Sequence, residues 1–240
     1  MKQRLDVLMV ERGLASSRTA AQAMIMAGEV SANTTKLIKP GQQIDSDAPL
    51  DIVNKSRYVS RGGDKLASVA EVLKLDFTDK IVLDVGSSTG GFTDYALQNG
   101  AIKSYAVDVG TNQLAYKLRQ DDRIVVMEQT DIRRAELPEK ADIAVIDVSF
   151  ISLTKILGAA SERIKPDGQI VAMAKPQFEA DKPTADKYRG VIKDEKVRRQ
   201  ILDSLETYMK QSFSIKASAD STVHGAEGNR ERFYLLELLH

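Results

Sequence analysis

The sequence predicts an α/β protein built on a mostly parallel sheet, with a small α+β module ahead of it. Three observations carry that expectation. From residue 81 onward, apolar runs of four to six residues alternate with helix-like stretches, the pattern of buried parallel strands covered on both faces. The first of those runs ends in a glycine turn, Gly86-Ser87-Ser88-Thr89-Gly90-Gly91, that opens a helix. Residues 1–58 have a different texture, with short helix faces and isolated strand pieces.

In the first segment, Leu5, Leu8, Met9 and Val10 form a short apolar helix face. Ser16-Ser17 offers an N-cap for a second helix over Arg18–Ala27, and Gly28 stops it. Strand-like pieces follow at Val30, Leu37-Ile38 and Ile44, with a Pro40-Gly41 turn between the last two. Residues 54–63, NKSRYVSRGG, read as a linker, so the domains are expected to be 1–58 and 59–240. Leu66, Val69, Ala70 and Leu73 then mark an amphipathic helix from about 64 to 74. Strands are expected at Ile81–Val85, Ser104–Val109, Ile124–Met127, Ile143–Val148 and Gln169–Ala174. A charged helix over about 193–210 and strands near Phe213–Ala217 and Phe233–Leu238 complete the chain.

Composition narrows the function classes. With 42% hydrophobic residues the chain can build a real core, yet no apolar run nears the roughly 18 residues of a membrane span. The N-terminal MKQRLDVLMVERG has charges within any signal-like stretch, so the chain is expected to be unexported and cytoplasmic. The absence of cysteine excludes disulfides and thiolate metal sites, and no metal is expected. The 34 basic and 34 acidic residues cancel, but residues 1–44 hold six basic residues against three acidic ones. That excess suits either a nucleic-acid contact or an ordinary solvated surface.

The glycine turn after Ile81–Val85 is Rossmann-like. Gly86 permits the sharp turn, while Gly90 and Gly91 are expected to let a ligand and the next helix approach the backbone. A dinucleotide site favours G-x-G-x-x-G, with the middle glycine admitting pyrophosphate. Here Ser88 takes that place, and Asp84 precedes the first glycine by two residues. A carboxylate there repels phosphate but suits an amino group and a sulfonium, which favours S-adenosylmethionine over NAD. Asp108, ending the second strand 24 residues past Asp84, is suited to accept both ribose hydroxyls. Asp131 is placed to reach the adenine amine.

Reactive groups of such a sheet gather at the carboxyl ends of its strands. Asp147 ends the fourth strand and Lys175 the fifth, Lys65 lies on the helix before the sheet, and Glu231 opens the last strand. Burying the Lys175 ammonium without a partner is costly. On spacing alone the four form either a solvated salt-bridge network or a site that tunes one amine. No Asn-Pro-Pro-Tyr type motif follows the fourth strand, which leaves amino-group methylation without its hydrogen-bonding loop. No cysteine is present to attack a pyrimidine ring. An oxygen acceptor such as a ribose 2′-hydroxyl fits a lysine-assisted site.

Nearly end to end, the chain resembles the TlyA or hemolysin A group of ribosomal RNA 2′-O-methyltransferases, whose catalytic half is similar to the FtsJ methyltransferases. Residues 4–44, beginning RLDVLMVERGLASSRTAAQAM, resemble an S4 RNA-binding domain. VSRGGDKL (59–66), DVGSSTGGFTD (84–94), DVSFISL (147–153), KPQFE (175–179) and GNRERF (228–233) follow the family in order. The resemblance implies a Lys-Asp-Lys-Glu tetrad at Lys65, Asp147, Lys175 and Glu231; the Arg-Glu-x-Phe setting favours Glu231 over Glu237 on the same strand. It also implies cytidine 2′-O-methylation of ribosomal RNA, in free RNA or ribosomal subunits, with RNA phosphates met by Arg4, Arg12, Arg18 and Lys36. Three other classes compete: a non-catalytic ribosome-assembly factor with a relic pocket, a membrane-lytic hemolysin and an NAD-dependent enzyme. A complete tetrad argues against the first, the missing apolar helix against the second, and Ser88 with Asp84 against the third.

Overall fold

The computed structural model describes residues 2–26, 28–32, 35–37, 39–52, 57–225 and 228–239. The chain divides into two compact units, Met1–Arg57 and Tyr58–His240.

The first unit comprises β1 (Lys2–Arg4), α1 (Leu5–Glu11), α2 (Arg18–Met26), β2 (Val30–Ala32), β3 (Thr35–Lys36), β4 (Gln43–Asp45) and β5 (Leu50–Ile52). Leu5 and Met9 stack on one face of α1, and Ala21 and Ile25 on one face of α2; with Val30 and Leu37 they form a small core. The Ser17 hydroxyl caps α2 by accepting the Ala20 N–H at 3.1 Å. Gly28, at φ +71°, ends the helix, its N–H returning to the Ile25 carbonyl. β2 lies between β3 and β5, all antiparallel, and β1 pairs with β4. The periodicity missed β1 and β5 and set the third strand at Leu37-Ile38 where it is Thr35–Lys36, because two or three residues carry too little pattern to read. Ala27, Ile38 and the 54–56 part of the expected linker lie outside the described residues.

The second unit runs α3 (Arg61–Ala70), β6 (Ile81–Val85), α4 (Gly91–Gln98), β7 (Lys103–Val107), α5 (Tyr116–Arg119), β8 (Ile124–Met127), β9 (Ala141–Ile146), α6 (Leu157–Ser161), β10 (Ile164–Ala174), α7 (Pro176–Glu179), α8 (Lys182–Lys187), α9 (Glu195–Met209), β11 (Phe213–Asp220) and β12 (Arg232–Leu238). The sheet order is β11-β12-β10-β9-β6-β7-β8, with β8, β7, β6, β9 and β10 mutually parallel and β12 antiparallel to both its neighbours. Successive residues feed opposite cores. Leu83, Ala144, Ile170 and Leu236 pack on one side with Leu157 of α6 and Leu202 of α9. Val82, Val145, Val171 and Phe233 pack on the other with Leu66 of α3 and Phe92 of α4. Both faces are buried, which is why the strands read as continuous apolar runs.

Several boundaries move, three of them at α3 and β10 by three residues or more. Arg61–Gly63, read as linker, form the first turn of α3. A Cβ on Gly63 would lie 2.3 Å from Tyr58, so close packing rather than flexibility calls for that glycine. The helix stops at Ala70 rather than 74, and Lys74 takes φ +53° as the chain turns toward β6. β10 starts at Ile164, ahead of the expected Gln169, because a bulge between those residues lets Ile164 pair with Ala141.

Candidate active site

Chain order reverses around β6, which has β7 on one side and β9 on the other, and a crevice opens at their carboxyl ends. Gly86 makes the turn at φ +80°, and a Cβ there would sit 2.5 Å from the Asp147 carbonyl oxygen. The glycine therefore brings the end of β6 against the end of β9. Gly86 and Ser87 donate to the Val107 carbonyl at 2.9 and 3.1 Å. Ser88 adopts φ +45° and donates its N–H to Asp108 Oδ2 at 2.7 Å, while Gly110 N–H donates to Oδ1 at 2.7 Å. Asp108 thus ties two loops together at the tip of β7. Beside it lies a cavity of about 510 Å³, lined by Gly86, Ser88, Asp108, Asp131 and Asp147 with apolar walls from Val107, Ile132 and Ile156. Its size falls within the roughly 300–1,000 Å³ of small-molecule sites.

Three residues singled out in the glycine motif are not among the lining residues. Asp84 is 1% exposed, and its Oδ2 accepts the N–H and hydroxyl of Thr93 at 3.0 and 2.7 Å. Burial, only partly offset by those bonds, pushes its carboxyl up to about 7. Gly90 and Gly91 were expected to admit a ligand as well as a helix. A Cβ on Gly90 would meet Leu118 at 2.3 Å, and one on Gly91 would meet the Ser60 hydroxyl at 2.4 Å and Gly63 N at 2.7 Å. Packing of α5 and α3 against the start of α4 accounts for both glycines. Asp131 does line the cavity, but Arg133 Nη2 holds its carboxylate at 2.5 Å. That guanidinium, with the Arg133 N–H, draws the Asp131 carboxyl down to about 2.

The tetrad residues form two ion pairs. Lys175 Nζ lies 2.5 Å from Asp147 Oδ1, and Lys65 Nζ lies 2.6 Å from Glu231 Oε2. Strand register explains the alignment. Ile146 pairs with Ala172, and Ala174 pairs with Arg232. Asp147, Lys175 and Glu231 therefore follow one another along the same sheet edge, and Lys65 reaches Glu231 from α3. Glu237 belongs to the opposite end of β12, where it meets Lys216 and Gln169.

Sequence reasoning missed Ser149, whose hydroxyl accepts from Lys175 Nζ at 2.9 Å. The only signal was a hydroxyl two residues beyond Asp147. It also missed Phe150, which is 91% exposed at φ +64° and packs on Phe178 with ring centroids 5.0 Å apart. A left-handed phenylalanine leaves no mark in hydrophobic periodicity.

In the first unit, three of the four basic residues singled out for RNA have partners within the module. Arg4 and Arg18 both reach the fully buried Asp6, at 2.8 and 3.0 Å, and the Gln22 amide donates to it at 2.8 Å. Arg4 foremost holds the Asp6 carboxyl far below the ordinary carboxylate range. Arg12 donates to the Ser46 and Ala48 carbonyls. Arg18, whose side chain is 56% exposed, engages Asp6 through Nε. The side chain of Lys36 lies outside the described residues. Among the described residues no helix is long and apolar enough to cross a membrane, and no group of His, Cys, Asp or Glu is arranged to hold a metal ion.

Residues 58–238 match the FtsJ-like methyltransferase family model, and residues 3–48 match the S4 domain model. YqxC of Bacillus subtilis (strain 168), provisionally named an rRNA methyltransferase, is 48% identical across 99% of this chain and 85% of its own. The Mycobacterium tuberculosis protein named 16S/23S rRNA (cytidine-2′-O)-methyltransferase TlyA is 36% identical across 98% of this chain and 90% of its own. A solved structure from Streptococcus thermophilus, provisionally titled a hemolysin, superposes with a TM-score of 0.75. It is 42% identical and covers 99% of this chain and 88% of its own.

Proposed function

The chain belongs to the FtsJ-like methyltransferase family, and from that premise we propose that it moves the methyl group of S-adenosylmethionine to a cytidine ribose 2′-hydroxyl of ribosomal RNA. One observation carries the reading. Asp147 lines the cavity beside the β6 turn and also grips Lys175, so the cofactor cavity and the candidate amine share a wall. The relatives named for rRNA cytidine-2′-O methylation support the acceptor.

The residues present fit the cofactor. Each Asp108 oxygen accepts one loop N–H and keeps a lone pair for a ribose hydroxyl. Gly86, with no room for a Cβ, and Ser88 form the floor of the cavity. Asp131 stands at the wall as the partner for the adenine amine, sharing its carboxylate with Arg133. Asp84, Gly90 and Gly91 act from behind the turn by fixing α4. When bound, the cofactor supplies an electrophilic methyl carbon.

In this mechanism Lys175 steers the 2′-hydroxyl as an ammonium or, once it has lost a proton to solvent, takes the hydroxyl proton as the oxygen–methyl bond forms; Asp147 with Ser149 orients its nitrogen. The Lys65–Glu231 pair, next along the sheet edge, balances the local charge. Alignment of acceptor and donor supplies much of the acceleration, because effective molarities of oriented reactants are large. Residues 1–58 serve as the RNA-docking domain and 59–240 as the catalytic domain. Phosphate contacts from Arg18, with Arg4, Arg12 and Lys36 around it, position the RNA but read little sequence. Ribosomal RNA and ribosomal subunits as partners support a cytoplasmic activity.

Mass mapping of ribosomal RNA from cells with and without this protein tests the reading. One 2′-O-methyl group absent from the deficient cells, and restored by the wild-type protein but not by Lys175→Ala, is the expected result. An unchanged map, with no transfer by the purified protein to undermodified subunits, leaves the assembly-factor alternative standing.

A further inference from the structure

Lys175 and the helix after it, α7, run beside the loop 147–153, and the two segments meet at three levels. Lys175 Nζ reaches Asp147 at 2.5 Å and Ser149 at 2.9 Å. Next, the Phe178 ring meets the Phe150 ring. At the far end, Glu179 Oε2 accepts the Ser152 hydroxyl at 2.6 Å, and Oε1 accepts the Leu153 N–H at 2.9 Å. Phe150 needs holding: at φ +64° its backbone is strained, and at 91% exposure burial offers little compensation. Glu179 does not line the cavity, whereas Ser149 and Phe150 do.

We propose that Glu179 is a positioning residue for methyl transfer: it clasps the loop 147–153 shut, and the closed loop keeps the Ser149 hydroxyl on Lys175 Nζ. Asp147 alone fixes one of the three amine directions. The second oxygen, from Ser149, stops the amine from pivoting about that contact and aims its remaining position. The clasp and the amine lie only four residues apart in sequence, so the loop is caught at both ends by one rigid piece of chain. This inference rests on the reading that Lys175 acts at the acceptor oxygen.

The test uses full-length Glu179→Ala, Ser149→Ala, their double variant, Ser152→Ala and Lys175→Ala, with undermodified ribosomal subunits and labelled S-adenosylmethionine. Glu179→Ala is expected to lower kcat about tenfold to hundredfold, the scale of a misplaced reacting group, with cofactor Kd by calorimetry shifted far less than kcat although the loop also lines the cavity. Ser152→Ala, which removes one of the two clasp bonds, lowers kcat less. The Glu179→Ala/Ser149→Ala double is no slower than the slower single, because both act through the same amine. Losses that multiply in the double, or a kcat for Glu179→Ala within about twofold of wild type, overturn the proposal. Should Glu179→Ala fail to fold by circular dichroism, an unchanged kcat in Ser152→Ala overturns it instead. Full turnover by Lys175→Ala removes the underlying functional reading. An inactive Lys175→Ala beside a fully active Glu179→Ala removes only the clasp.

Discussion

Thr93 gives both its backbone N–H and its hydroxyl to a single oxygen of Asp84, joining the strand before the glycine turn to the helix after it. The other oxygen, Oδ1, is buried with no hydrogen-bond partner among the described residues. Asp84 is therefore a brace of the turn whose charge is badly solvated, which is why its carboxyl titrates near neutrality.

Replacing Asp84 by Asn keeps an acceptor for Thr93 and removes the buried charge. With a folded pKa of about 7 above a reference of 3.8, the group's stabilising contribution is complete below about pH 4 and lost as pH rises toward 7. The loss is on the order of 4 kcal/mol at most. Melting curves should show Asp84→Asn gaining on wild type as pH rises through that window, then running parallel above it. A constant difference across the window refutes the buried-charge account.

Lys175→Ala should cut turnover by roughly 10²–10⁴-fold, the usual contribution of a positioned acid or base. Cofactor affinity should hardly change, since Lys175 does not line the cavity. Single-turnover kinetics with calorimetry on the same sample separates the two effects.

Asp108→Ala should do the opposite. It removes the carboxylate proposed for the ribose hydroxyls and frees the N–H groups of Ser88 and Gly110. Cofactor affinity should fall about tenfold to hundredfold, the worth of one charged hydrogen-bonding group. A Kd within error of wild type removes Asp108 from the site.

Gly86→Ala should destabilise the second unit, because the new Cβ meets the Asp147 carbonyl oxygen at 2.5 Å and the residue must keep φ +80°. Strain of this kind costs roughly 1–3 kcal/mol. Denaturant unfolding measures it, and an unperturbed midpoint argues against the close approach of β6 and β9.

Arg18→Ala and Arg12→Ala should part company. Arg18 is half exposed, so its loss should weaken RNA binding and reduce the salt slope by about one phosphate contact. Arg12 holds the Ser46 and Ala48 carbonyls, and its loss should lower the module's melting temperature first. Filter binding across a salt series distinguishes them.

The sequence by itself determined the succession of the larger sheet's seven strands, the glycine turn with Asp108 at the next strand end, and the candidacy of Lys65, Asp147, Lys175 and Glu231. Those features are local: alternation of apolar runs, backbone freedom at Gly86, and charged residues at strand ends all survive in one dimension. Tertiary structure alone decided which residues face which neighbour. It turned Gly90, Gly91 and Gly63 into points of close packing, because a missing Cβ reads the same whether a ligand or the protein's own atoms fill the space. It moved Asp84 behind the turn and tied Arg4, Arg12 and Arg18 within their module, because a charge in a sequence does not reveal the partner that will neutralise it. Strand register set Asp147, Lys175 and Glu231 along one edge, and residues separated by up to 84 positions meet there only once the sheet has formed.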